Sequence, residues 1–201
     1  MTRLAALYGG SAPQRRTFVD SRFAEFFDEV IYLGDLGTTS LTPFDGLVVP
    51  SRLHIDRRNA HGDELRSFLD AGGSVVTFGQ QPAPWLPEVE WTHRPTNFWW
   101  WLDPHGDSGL RFTQPEHPFF EYVGPEDCEW HFHGSFDSPE GATVLIRDDE
   151  GGAVLYIDEE TWTGRTVVTT LDPTYHFGSY FMPATEQFLS GILPWLRDEC
   201  C

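Results

Sequence analysis

The chain contains no lysine: all 13 of its basic residues are arginine. Against 31 Asp and Glu they leave a formal charge of −18. A surface so acidic repels phosphate backbones and anionic lipid, so neither nucleic acid nor a membrane surface is an expected partner. Cysteine is scarce as well. Its three copies are Cys128, Cys200 and Cys201, an odd number without framework spacing, which points to a reducing, cytoplasmic setting rather than a disulfide scaffold. No apolar run approaches the ~20 residues that a membrane helix requires. The short run Leu4–Tyr8 closes on Gly9-Gly10, so it reads as a first strand and not as the core of a signal peptide.

What the chain does have is enough material for one core. Its 201 residues are 40% apolar and 15% aromatic, and a domain of this length buries roughly 70% of its unfolded surface. The first part alternates strand and helix. Leu4–Tyr8, Val30–Leu33, Phe44–Pro50 and Ser74–Gly79 are short β-prone runs. Continuous apolar runs of this kind suit strands covered on both faces. Val19, Phe23, Phe26, Phe27 and Val30 fall on one helical stripe, and Leu65, Phe68 and Leu69 on another that ends at Ala71-Gly72-Gly73. The pattern predicts an α/β, flavodoxin-like, mainly parallel sheet with helices on both faces.

Between about residues 80 and 163 the pattern changes. Pro82, Pro84 and Pro87 interrupt the chain, and an aromatic block follows (Trp91, Phe98, Trp99, Trp100, Trp101). Three β-like segments come next: Glu129–His133, Ala142–Arg147 and Ala153–Ile157. The last two flank the turn Asp148-Asp149-Glu150-Gly151-Gly152. This region reads as an antiparallel extension inserted into a single domain spanning 1–201. The first style then returns with the strand Thr166–Leu171, the stop Asp172-Pro173, and a closing helix from about Pro183. That helix carries Ala184, Phe188, Ile192 and Trp195 on one stripe, with Pro194 predicting a kink or early stop near its end.

The segments Phe44–Pro50, Leu65–Gly73, Ser74–Gly79 and Gly164–Pro173 together resemble the class I glutamine amidotransferase-like superfamily. The nearest flavour is the branch of trehalose-utilisation-type proteins and the trimerisation domain of some β-galactosidases. Catalytic members of that superfamily carry a cysteine in a Gly-x-Cys-x-Gly turn and a histidine in a His-Pro-Glu turn. At the corresponding places this chain reads Phe78-Gly79-Gln80-Gln81-Pro82 and Leu171-Asp172-Pro173-Thr174. The resemblance therefore implies the fold without the thiol–imidazole pair. Cys128 is no substitute, because Glu126, Asp127 and Glu129 around it disfavour a thiolate.

Several residues remain as candidates for other chemistry. His131 and His133 alternate in Trp130-His131-Phe132-His133, so both imidazoles would share a face, and His176 or Asp172 would complete a zinc site. The plainer alternative is a polar strand face. Asp172 and His176 lie beyond the C-terminal end of a core strand, where α/β folds bind ligands. There Asp172 serves either as an acid/base or as a cap on nearby backbone N–H groups. Ser51, Arg52, Gln80, Gln81 and Tyr175 fall at the same edge as candidate ligand contacts, with Arg52 able to orient an anion or to pair with Asp56 or Asp63. Trp99 and Trp100 offer a stacking surface for a sugar or a partner. The acidic runs Asp148–Glu150 and Asp158–Glu160 lack the oxygen spacing of a calcium loop.

Two functions are thus in play. One is a non-catalytic amidotransferase-like domain that binds a protein partner, a like subunit or a small polar ligand. The other is a hydrolase of a carbohydrate-like substrate, metal-dependent or not, with Asp172 and the His131/His133/His176 group as its polar centre.

Overall fold

A computed structural model describes residues 2–82, 85, 89–96, 98–180 and 182–201. Pro84 and Pro87, two of the three prolines read above as chain breakers, lie outside the described residues. Ten strands join in one sheet: β1 (Leu4–Tyr8), β2 (Glu29–Tyr32), β3 (Gly46–Val49), β4 (Ser74–Phe78), β5 (Glu90–His93), β6 (Leu110–Phe112), β7 (Gly134–Asp137), β8 (Thr143–Asp148), β9 (Ala153–Asp158) and β10 (Thr166–Thr169). The α-helical segments are α1 (Ala12–Arg15), α2 (Ile55–Ala60), α3 (Gly62–Asp70), α4 (Phe119–Tyr122), α5 (Pro125–Cys128), α6 (Pro173–Gly178) and α7 (Ala184–Trp195).

Five strands run parallel in the order β2-β1-β3-β4-β10, the flavodoxin-like arrangement. Their side chains divide by alternation between two cores. Leu4, Ala6, Val48, Val76, Phe78 and Val167 face α7, meeting Phe188, Leu189, Ile192 and Trp195. Ala5, Leu7, Leu47, Val49, Val75 and Val168 face the opposite way, toward Leu65, Phe68 and Leu69 of α3. The sheet continues past β10 with antiparallel strands. β9 pairs with β10, β8 and β7, β7 with β5, and β8 with β6. The extension is therefore part of the same sheet, which places its loops beside the C-terminal ends of the core strands. The turn from β8 to β9 is closed by Asp148 Oδ1, which accepts from the backbone N–H of Glu150 at 2.9 Å and of Gly152 at 2.7 Å.

Three local expectations need correction. The stripe from Val19 to Val30 is not one helix. Ser11 caps α1, one wide π turn follows over Arg16–Asp20, and the chain then breaks at Ser21 (φ −102°, ψ 173°) into a 3₁₀ segment, Arg22–Phe26. Ser21 Oγ accepts from Phe23 N–H at 3.1 Å and donates to the Thr17 carbonyl at 2.8 Å, so a hydroxyl takes over the helix's own bonding. Phe18 and Phe23 are buried, whereas Val19 is 46% exposed and Val30 belongs to β2.

Glu129–His133 is the second correction. It forms no strand; β7 starts only at Gly134. Trp130 N–H bonds back to the Cys128 carbonyl at 3.0 Å, and only the His133 carbonyl, which accepts from Arg94 N–H at 2.9 Å, meets the neighbouring chain. The third concerns α7, which passes through Pro194 to Trp195 and then widens into a π turn over Leu196–Cys200. Proline removes one N–H from the ladder, and the wide turn follows directly after it. Among the described residues, no helix is long and apolar enough to cross a membrane.

Phe188 sits wholly buried against Phe78 and Trp130, with ring centroids 6.5 and 5.1 Å away. Phe188→Ala is expected to cost about 3–5 kcal/mol in urea denaturation, whereas Val19→Ala should stay within about 0.5 kcal/mol. Similar losses for the two variants would contradict this packing.

Candidate functional site

Strands β3, β4 and β10 end side by side, and the three turns that follow them build the site. After β4 the chain turns through Gly79, whose φ of +75° favours glycine. Its N–H donates to the carbonyls of Thr169 and Leu171 at 2.9 and 2.8 Å. A Cβ at this position would come within 2.8 Å of both Asp172 Cγ and Ser51 Cβ. This turn is packed shut against a carboxylate.

That carboxylate organises the region. Asp172 is 5% exposed. Its Oδ1 accepts from Tyr175 N–H at 3.1 Å, capping α6, and its Oδ2 accepts the hydroxyl of Ser51. Burial raises its pKa above the usual carboxylate range, opposed by these two hydrogen bonds and by the charges of His176 and Arg52. The Asp172 main-chain carbonyl in turn accepts from His176 Nδ1–H at 2.7 Å. Gln14 braces the neighbouring turns: its Oε1 accepts from Gly9 N–H and its Nε2 donates to the Ser51 carbonyl, both at 2.9 Å.

Arg52 follows Ser51 with φ at +60°, a left-handed backbone that a side-chain-bearing residue adopts at a cost. Its guanidinium lies 3.7 Å from the centroid of the Tyr175 ring, and its Nε is 3.8 Å from Asp172 Oδ2, yet its side chain remains 49% exposed. The partner is thus Asp172, and not Asp56 or Asp63 as the spacing suggested; Asp63 is bonded to Arg66. Gln81 is buried, its Oε1 accepting from Arg58 at 2.5 Å and from Trp85 Nε1 at 3.2 Å, with Gln80 half-buried beside it. Burial lowers the Arg58 pKa to about 10.

The histidines arrive from the extension and from α6. His131 Nε2 lies 3.1 Å from His176 Nε2, and the nitrogens of His131, His133 and His176 all fall within 4.8 Å of one another. Burial, then the charges of His176 and His133, lowers the His131 pKa to about 4. His133 is lowered by the same desolvation and by His176, Arg52 and His93. The three rings could hold a metal ion. Phe98 packs on both His131 and His133, with centroids at 4.8 and 5.7 Å. It joins Trp99, Trp100, Trp101 and Trp130 in a cleft of about 580 Å³ that also reaches Glu129 and His131. Trp99 is 67% exposed and Trp100 is half-buried. Cys128 is wholly buried in the α7-side core, and burial, then Asp127 and Glu126, pushes its thiol well above the ordinary range.

Sequence reasoning passed over three contributors: Gln14, Thr96 and Phe98 as a cover for the imidazoles. Thr96 Oγ1 donates its one hydrogen to the Phe132 carbonyl at 2.7 Å and accepts from His133 Nδ1–H across 3.0 Å. A single threonine or glutamine carries no signal of a contact formed 36 or 37 residues away.

No family model matches the chain, and no curated protein does. Solved structures do. The cytoplasmic protein STM1381 from Salmonella typhimurium LT2 is similar at TM-score 0.59 and 11% identity, over 98% of this chain and 100% of that one. The exo-β-1,4-mannosidase Op5Man5 from Opitutaceae bacterium strain TAV5 is similar at TM-score 0.53 and 12% identity. That match takes in 97% of this chain but 35% of the mannosidase, so the chain spans about a third of that enzyme. At these identities the likeness is one of fold.

Capping and burial at Asp172 give a direct test. Asp172→Ala strands the Ser51 hydroxyl and the Tyr175 N–H and should cost about 2–3 kcal/mol in urea denaturation. Asp172→Asn keeps the acceptor for the Tyr175 N–H, presents an amide N–H that the Ser51 hydroxyl can turn to accept, and removes a buried charge, so its cost should stay below about 1 kcal/mol. An alanine variant as stable as the parent would refute the cap.

Proposed function

We infer that the chain is a non-hydrolytic binding domain of amidotransferase-like architecture that takes a small anionic ligand at the C-terminal edge of its parallel sheet. The observation that carries this reading is Arg52. A positive φ at a non-glycine residue is strain, and strain retained at a sheet edge marks a place where a side chain is held for use. Arg52 is held there with its guanidinium over the Tyr175 ring and about half exposed, a posture from which a planar fork can grip a carboxylate or phosphate. Ser51 and Asp172 bind each other beneath it, and Gly79 offers no side chain to attack a substrate. The reading in which Asp172 acts as a hydrolytic acid or base is less well supported, because both its oxygens already serve as acceptors.

The test is a thermal-shift and calorimetric panel of small carboxylates and phosphates. At least one should raise the melting temperature of the parent, and Arg52→Gly should abolish the response. Relief of the left-handed backbone should leave that variant as stable as the parent, or up to about 1 kcal/mol more stable. A panel without effect, or a response that survives Arg52→Gly, would overturn the assignment.

A second reading, association with a like subunit, is favoured by a separate observation: Phe98, Trp99, Trp101 and Leu102 are 40%, 67%, 52% and 69% exposed in one short stretch. Contiguous apolar surface of this kind marks interaction sites. Light scattering should then give more than one chain per particle, and Trp99→Ser with Leu102→Ser should return it to a monomer. A monomeric parent would remove this reading and leave the ligand site untouched.

A further inference from the structure

Three imidazoles from two distant stretches of chain meet at one point, and their neighbours set two of the tautomers. His176 Nδ1 lies 2.7 Å from the Asp172 carbonyl, which can only accept. The ring proton is therefore on Nδ1, and Nε2 bears the lone pair. His133 Nδ1 lies 3.0 Å from Thr96 Oγ1, whose own hydrogen is directed to the Phe132 carbonyl at 2.7 Å. This ring too is protonated at Nδ1 and basic at Nε2. His131 Nε2 is 3.1 Å from His176 Nε2. As neutral rings the two share one N–H···N hydrogen bond. Moving the His131 proton to Nδ1 converts that contact into two lone pairs facing each other across 3.1 Å, which a cation can join.

Zinc bonds of about 2.0–2.1 Å in a tetrahedral site separate ligand nitrogens by about 3.3 Å. The 3.1 Å pair already meets that spacing. The three ligand nitrogens lie within 4.8 Å of one another, so a side-chain movement of about 1.5 Å or less would reach the same geometry. We propose that His131, His133 and His176 bind a zinc ion, with the Asp172 carbonyl and the Thr96 hydroxyl as the outer partners that orient two of the rings. A ligand set of imidazoles alone suits zinc or copper and not magnesium or calcium. Outer hydrogen bonds to the second ring nitrogen are the usual companions of histidine ligands. Three protein ligands leave a fourth position for water or a ligand atom. The net charge of −18 draws cations toward the chain. Arg52 opposes a charge near His133, but it is itself held by the Asp172 carboxylate. The site does not depend on the anion reading of Arg52, and its test uses metal alone.

Chelator-treated protein titrated with zinc chloride in a calorimeter, followed by dialysis and metal analysis, should show one zinc per chain. Cobalt in its place should give visible bands of four-coordinate intensity. Thr96→Val should weaken zinc binding by about 10-fold or more, and His131→Gln and His133→Gln should weaken it further, with circular dichroism unchanged. Should His176→Gln fail to fold, the half-buried His133 and Thr96 variants decide the matter. Less than one zinc per chain overturns the proposal. So does an affinity that His133→Gln leaves unchanged, which would place the ion elsewhere, for example at the thiols of Cys200 and Cys201.

Discussion

The Asp172 carboxylate is the constraint on which the rest of the site depends. It lies just past the last parallel strand, nearly closed off from solvent, and a buried carboxylate is tolerable only when its oxygens find donors. Two are supplied from different places: the Ser51 hydroxyl beyond β3 and the Tyr175 N–H at the start of α6. Satisfying one side chain therefore fixes two turns relative to each other. It also orients α6 so that His176 returns its Nδ1–H to the Asp172 carbonyl. The positions of Ser51, Tyr175 and His176 are tied together by that one capped aspartate. Gly79 belongs to the same constraint, since a Cβ there would occupy the space the carboxylate fills.

The fold was legible where burial is symmetrical. Strands covered on both faces read as uninterrupted apolar runs, so Leu4–Tyr8, Gly46–Val49 and Ser74–Phe78 stood out without any knowledge of their neighbours. The stripe from Val19 to Val30 misled because periodicity counts apolar positions and ignores what lies between them. Asp20 and Ser21 sit inside it, and a serine that bonds its own backbone outweighs the stripe. Trp130–His133 misled in the opposite sense. Alternation of ring and imidazole suggested a strand, yet the strand begins only at Gly134. The two imidazoles nevertheless lie together, with ring centroids 5.1 Å apart.

The site was legible only in part, for a reason of distance along the chain. Asp172, Tyr175 and His176 are local to one turn, and an Asp-Pro step announces a cap. The approach of Ser51 to Asp172 joins residues 121 positions apart, and that of His131 to His176 joins residues 45 apart. Contacts of this kind are products of topology: β3, β4 and β10 are neighbours, and the antiparallel extension carries its histidines to the end of the last parallel strand. No pattern within a window of ten or twenty residues contains them.

The two proposed occupants of this edge are not independent. A divalent ion at the imidazoles would add positive charge close to Arg52, whose own charge is already felt at His133. An anion bound by Arg52 would offset that repulsion, so each occupant would bind more tightly in the presence of the other, by the same factor in both directions. The strongly negative surface acts at longer range and with the opposite preference, drawing cations in and slowing the approach of anions. Salt screens the long-range part within about 8–10 Å and leaves close contacts largely intact. In such a site the ion would arrive first and favour the anion that follows, and the short-range pocket, not the net charge of the molecule, would decide which anion is kept.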